Sequence, residues 1–227
     1  ANGVHTSYQR GVGLLDSANV RIKWMVNVCP DGDTSIFHNY WLSPVVADVD
    51  ADGDAEIVVP VEPSGPNNPS PQSIRVLILD GATGREEWRW EPPESLKIWE
   101  FPRGVGTFSL LVADVDSDAH PEIVIPTWFD NHIIQVSWLW VIDGVTRTVK
   151  WTFSPIVYPP LHFQAPTVAD VDGDNKPEIL IIGSNTLYCL NGKDGSVKWA
   201  AKPAFGRILP SCADVDGDGA MEVVISS

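Results

Sequence analysis

No stretch of this sequence stays apolar for the ~20 residues that a helix needs to cross a bilayer, so no membrane insertion is expected. Positive charge is scarce. Fifteen Lys and Arg face thirty Asp and Glu, and the net charge of -15 would repel nucleic-acid phosphates and anionic lipid, so no nucleic acid is expected as a partner. There are only three cysteines, Cys29, Cys189 and Cys212, an odd number that forms no evident disulfide framework. The five histidines (His5, His38, His120, His132, His162) are scattered, and neither a nucleophile motif nor a phosphate loop is present; a non-enzymatic role is therefore expected. No Asn-x-Ser/Thr acceptor has a permitted middle residue. Long runs with apolar residues at helical spacing are missing too. What is abundant is 19 Pro, 18 Gly and 10 Trp beside short β-branched runs, which points to an all-β chain of 227 residues with ample core.

The acids are not spread evenly. Four segments align without gaps: Ala47 to Val58, Ala113 to Val124, Ala169 to Leu180 and Ala213 to Val224. Taking the first Asp as position 1, acids stand at positions 1, 3, 5 and 9 of each. They are Asp48, Asp50, Asp52 and Glu56; Asp114, Asp116, Asp118 and Glu122; Asp170, Asp172, Asp174 and Glu178; and Asp214, Asp216, Asp218 and Glu222. These sixteen hold the whole net charge, since without them fourteen acids face fifteen bases.

At ~4 Å and an effective dielectric of about 20, each like-charge pair costs on the order of 4 kcal/mol, so such a loop needs a cation. Hard oxygens at alternate positions, with a backbone carbonyl from position 7 (Asp54, His120, Lys176 or Ala220), describe calcium better than magnesium. About four Ca2+ are expected. An EF-hand places its closing Glu at position 12 between helices; here the Glu at position 9 opens an apolar run of strand type. The second loop is expected to bind less tightly, because position 6 is Ala119 where the others have Gly53, Asn175 and Gly219, and alanine tolerates a positive φ poorly. His120 is expected to offer its carbonyl, not its imidazole.

A second repeat interleaves with the first. Leu14 to Trp24, Ile78 to Trp88, Val141 to Trp151 and Cys189 to Trp199 each show an apolar strand, an Asp or Asn turn and a Trp eight residues after it. Strands such as Val76 to Leu79 and Trp140 to Ile142 are apolar on both faces and must be buried on both. Trp24, Trp88, Trp151 and Trp199 at equal spacing are read as packing between modules and not as a sugar-stacking ladder. One acidic-loop hairpin and one turn hairpin make four short strands, the content of a β-propeller blade. The fold expected is all-β, a single propeller domain over 1–227: half-blade 1–29, blades 42–90, 107–153 and 165–201, half-blade 209–227.

The A-D-V-D-x-D-G-x-x-E-I-V loops resemble the FG-GAP and VCBS repeats of calcium-binding propellers in integrin α-subunits, bacterial adhesins and some polysaccharide lyases. Phe205-Gly206 before the fourth loop and Gln164-Ala165-Pro166 before the third are similar to the family's eponymous residues. The resemblance implies a calcium loop joining the first two strands of each blade, with the sixteen acids as ligands. The departures are Glu at position 9 where Asp is common, Ala119, and only four repeats. The turn with its Trp is also similar to repeats of quinoprotein dehydrogenases, without a quinone site.

The half-blades at Val12 to Val28 and Pro210 to Ser226 are complementary. They pair within one chain, or between neighbouring chains as a homo-oligomer or filament, or belong to a larger propeller; an unpaired edge is otherwise an aggregation liability. Ala1 in place of Met reads as a processed terminus, and loops suited to millimolar calcium suggest an extracellular or cell-surface location. Insertions at Glu62 to Gln72, Glu91 to Gly104, Trp128 to His132 and Ser154 to Gln164, with Trp41, Trp99, Trp128 and Phe129, are the variable surface. Contacts with a glycan or protein partner are expected there. The function expected is adhesion or a structural, self-assembling surface subunit; the alternative is a calcium-dependent polysaccharide lyase or glycan-binding module.

Overall fold

The computed structural model describes residues 11–18, 21–28, 43–61, 75–93, 104–107, 109–130, 135–155, 165–183, 186–202 and 210–225. Of the insertions named above, 128–130 are strand and not loop, because they pair on both sides; the others lie wholly or mostly outside these residues, as do Trp41, Trp99, Cys29 and Phe205-Gly206 and the side chains of Trp128 and Phe129. Within them the regular structure is entirely strand, and every pairing is antiparallel.

β1 (Gly11–Asp16) and β2 (Arg21–Asn27) form a two-stranded sheet. Sheet I follows, with β3 (Val45–Ala47), β4 (Glu56–Val61), β5 (Arg75–Asp80) and β6 (Glu86–Trp90) in that order. Sheet II contains β9 (Glu122–Asp130), β10 (Gln135–Asp143) and β11 (Val149–Phe153), with its first strand split into β7 (Gly104–Thr107) and β8 (Leu111–Ala113), which pair with opposite ends of β9. Sheet III is β12 (Thr167–Ala169), β13 (Glu178–Gly183), β14 (Thr186–Asn191) and β15 (Val197–Ala201). β16 (Ser211–Ala213) and β17 (Glu222–Val224) close the series as a second two-stranded sheet. These are the expected four-stranded sheets flanked by half-sheets. Among the described residues the two half-sheets are separate two-stranded sheets, and no strand pairing joins one to the other.

The sheets stack face to face in sequence order, which is why their middle strands are apolar on both sides. Val58 of β4 meets Ile123 and Ile125 of β9, while its neighbours Ile57 and Val59 point the other way, onto Val12, Trp24 and Val28. Val124 of β9 packs with Ile179 and Ile181 of β13, and Leu180 and Ile182 turn to Cys212, Val223 and Ile225. Period-two alternation thus serves two interfaces at once. Trp90 and Trp140 lie 5.3 Å apart at 58° between sheets I and II. Burial pushes the Cys189 thiol up to about 12, so it packs as an apolar group.

The repeated tryptophans join consecutive modules. Trp24 donates its indole N–H to the carbonyl of Gly81 in the next turn at 3.1 Å, and Trp151 does the same to Gly192 at 2.9 Å. A Cβ at Gly84 or Gly195 would fall 2.6 or 2.5 Å from those rings, so the rings rest on bare backbone. Arg147 stands at the matching position of sheet II with φ 61. Trp199 departs from the expectation: it is 38% exposed, and no turn hairpin covers it among the described residues.

Candidate metal centre

Each acidic loop joins the short first strand of a sheet to the second, and the side chains fold it before any ion is considered. The Glu at position 9 accepts a hydrogen bond from the backbone N–H at position 2. Val49 reaches Glu56 at 2.7 Å, Val115 reaches Glu122 at 2.8 Å, Val171 reaches Glu178 at 2.9 Å and Val215 reaches Glu222 at 2.7 Å. Burial of three of these carboxylates is nearly complete, at 3% exposure for Glu56, 0% for Glu122 and 1% for Glu178. The bond uses Oε2 in all four loops.

The first Asp accepts from the N–H at position 6, as in Gly53 to Asp48 at 3.1 Å and Asn175 to Asp170 at 2.8 Å. The Asp at position 5 accepts from position 7: Asp54 to Asp52 at 2.8 Å, His120 to Asp118 at 2.9 Å, Lys176 to Asp174 at 2.8 Å and Ala220 to Asp218 at 2.8 Å. Positions 4 and 6 take left-handed backbone. Ala119 does so at φ 71, as expected, and Ser117 (φ 63) and Ala51 (φ 60) add strain at position 4 that the sequence reading passed over; the fourth loop has glycine at both places.

Carboxylate oxygens converge within 4.8 Å in Asp48, Asp50 and Glu56; in Asp114, Asp116 and Glu122; in Asp170, Asp172 and Glu178; and in Asp214, Asp216 and Asp218. Two oxygens bound to one Ca2+ at about 2.4 Å lie at most about 4.8 Å apart, so the groups have the right span. Asp50 Oδ1 and Asp116 Oδ1 are buried without any hydrogen-bond partner, so each has its lone pairs free for a cation. Oxygen-only donors with vacant lone pairs fit calcium. Asp52, Asp174 and Glu222 stand outside these groups, and so do the side chains at position 7, Asp54, His120 and Lys176. The His120 imidazole sits 3.7 Å from Asp118, on the rim. Asp143, from the turn of sheet II, joins Asp118 and Glu122 in a further group that the sequence reading did not include.

It also missed two lysines. Lys150 Nζ lies 2.7 Å from Asp116, 2.9 Å from Asp118 and 3.0 Å from Glu122, and Lys198 Nζ lies 2.5 Å from Asp172 and 2.7 Å from Glu178. Burial alone would depress the Lys150 ammonium, but its bonds to the three carboxylates outweigh this and raise its pKa well above the usual lysine value. Lys198 is raised by Asp172 and Glu178. Both lysines stand in a V-K-W triplet, which does not by itself show that they reach the loop.

Burial raises Glu56 above its ordinary 4.5, against the Val49 N–H and with help from Asp50, Asp52 and Glu87, and burial likewise raises Glu122. Lys150 lowers Asp118 and Lys198 lowers Asp172 from 3.8. The raised acids make folded protein bind more protons than unfolded protein, so the metal-free form should gain stability as pH falls from 7 into the window just above 4.5. It should lose stability below 3.8, where the lowered aspartates protonate. With calcium present the first trend should reverse, because protons then compete with the ion. Melting curves of stripped and calcium-loaded protein across this range check both signs.

The repeated loop geometry is matched by sequence. Residues 170–225 match the FG-GAP-like repeat. Among curated proteins no sequence match is found. Solved structures similar to the chain include a rhamnogalacturonan lyase, with 21% identity, TM-score 0.59, and coverage of 82% of this chain and 40% of the lyase. A second rhamnogalacturonan lyase, from Bacillus licheniformis, gives 20% identity, TM-score 0.55, and 80% and 39% coverage. A quinohemoprotein alcohol dehydrogenase from Comamonas testosteroni gives 17% identity, TM-score 0.54, and 87% and 33%. The chain spans about 40% of the length of the lyases it matches. At these identities the likeness establishes a fold of propeller type carrying an FG-GAP-like repeat, and no activity.

Proposed function

We propose that this chain is a calcium-held propeller module, outside the cytoplasm, that acts by binding or assembly in adhesion or as a surface or filament subunit. The observation that carries the reading is the buried, partnerless oxygen of Asp50 beside the carboxylates of Asp48 and Glu56. A bound ion would supply fixed positive charge there, tying the entry of β4 to its loop. The four acidic loops offer about four such sites, one per loop. The rigid sheets would then present the variable insertions to a glycan, a protein or another copy of the chain.

The second reading, a polysaccharide lyase, is favoured by likeness to two rhamnogalacturonan lyases. It requires free basic side chains beside a cation with an open position. Lys150 and Lys198, which reach the loops, are already engaged by carboxylates. Incubation with rhamnogalacturonan and other acidic polysaccharides in calcium is expected to release no unsaturated product, while calcium-dependent retention on immobilised glycan or cell-surface material is expected. Product formation overturns the reading.

A further inference from the structure

All four turn hairpins carry a register shift at the same place. Leu14 faces Trp24 but Leu15 faces Ile22; Ile78 faces Trp88 but Leu79 faces Glu86. Val141 faces Trp151 but Ile142 faces Val149; Cys189 faces Trp199 but Leu190 faces Val197. The residues skipped are Lys23, Glu87, Lys150 and Lys198. A bulge frees its extra residue from strict alternation and re-aims it. In sheets II and III the re-aimed side chain is the lysine whose ammonium lies among the acids of that sheet's own loop. In sheet I the residue at the bulge is a glutamate, Glu87, which brings no ammonium to that sheet's loop.

We infer that the bulge residue decides how each acidic loop is neutralised. Lysine there fills the second and third loops with the chain's own ammonium, and Glu87 leaves the first loop to take its cation from solution. The inference rests on the calcium reading above and divides it among the loops. A tethered ammonium is present at high effective concentration, so an incoming ion must first displace it and break its contacts with three carboxylates in the second loop. The first loop has no ammonium among its carboxylates within the described residues. Among the described residues its one cationic neighbour, the Arg147 guanidinium from the adjacent turn, stops 3.5 Å from Asp50 Oδ2 and leaves Oδ1 without a partner. Asp116 Oδ1 is partnerless as well, but the other oxygen of that carboxylate is 2.7 Å from Lys150. The fourth loop, on the two-stranded sheet β16–β17, has no ammonium among its carboxylates within the described residues. Strain at Ala119 and the ammonium of Lys150 both weigh against calcium in the second loop.

Exchanging the bulge charges tests this. Calcium uptake is measured by titration calorimetry, and melting is measured with calcium and with EGTA, for wild type, Glu87→Lys, Lys150→Glu and Lys198→Gln. Glu87→Lys should lose one equivalent of bound calcium and melt higher than wild type in EGTA. Lys150→Glu should gain one equivalent and show a larger calcium-induced shift, its affinity for the new ion being on the order of tenfold or more above that of the wild-type loop. Lys198→Gln, at a more exposed lysine, should gain an equivalent at less risk to folding. Unchanged stoichiometry in Glu87→Lys, or in both lysine variants, overturns the division while leaving a calcium-held module intact. Absence of any uptake or shift in wild type overturns the calcium reading, and the division falls with it.

Discussion

Withdrawal of calcium is expected to lower the melting temperature by roughly 10–20 °C. A ligand at a hundred times its Kd stabilises the folded state by about 2.7 kcal/mol per site, a level that loops binding at ~10⁻⁴ to 10⁻³ M reach at about 10–100 mM calcium. Two loops without a lysine, the first and the fourth, would together contribute about 5 kcal/mol, and a domain of 150 to 250 residues shifts by about 2–4 °C per kcal/mol. The loss should be greatest around the first loop, where buried Glu56 is left beside Asp48 and Asp50. Calorimetric scans in excess calcium, after EGTA and after re-addition check it. A shift of less than about 2 °C would show that the loops hold their shape without metal.

Gly192→Ala is expected to destabilise by about 3 kcal/mol or more, or to prevent folding. A Cβ on Gly192 would penetrate the carbonyl oxygen of Val115 in the second acidic loop, as well as crowd that of Pro177. Both obstacles are backbone, and the Gly192 N–H is itself tied to the Pro177 carbonyl at 3.2 Å. Relief would require sheets II and III to part. Gly173→Ala separates this clash from the ordinary cost of alanine in left-handed backbone: Gly173 has φ 75 but nothing within 4 Å of its would-be Cβ, so its cost should be about 1–2 kcal/mol. Denaturant midpoints of the two variants decide the matter, equal losses contradicting the close approach at Gly192.

The acidic loops were legible because charge, register and closing Glu repeat without gaps, and the double burial of strands such as Val76 to Leu79 was legible because they hold no polar residue on either face. The lysines were not. Strict alternation puts Val149 and Trp151 on one face with Lys150 opposite, a reading that leaves it as an ordinary solvated residue; the bulge overturns that alternation, and no residue type between Asp143 and Trp151 announces it. Asp143 was hidden similarly, since its turn role, accepting from Thr146 at 2.6 Å, explains its presence in sequence without its approach to Asp118 and Glu122. Gly192 was visible as a turn residue. Its contact with Val115 joins residues far apart in the chain and depends on how two sheets stack, which local pattern does not encode.

The stacking order also grades the molecule from its middle outward. Ile123, Val124 and Ile125 of sheet II are enclosed from both sides, whereas β1–β2 and β16–β17 are each covered on one face and leave Ile22, Met25, Val215 and Val224 in water. Breathing motions should therefore begin at the two flanks and travel inward like the fraying of a short stack of cards, the central card being released last.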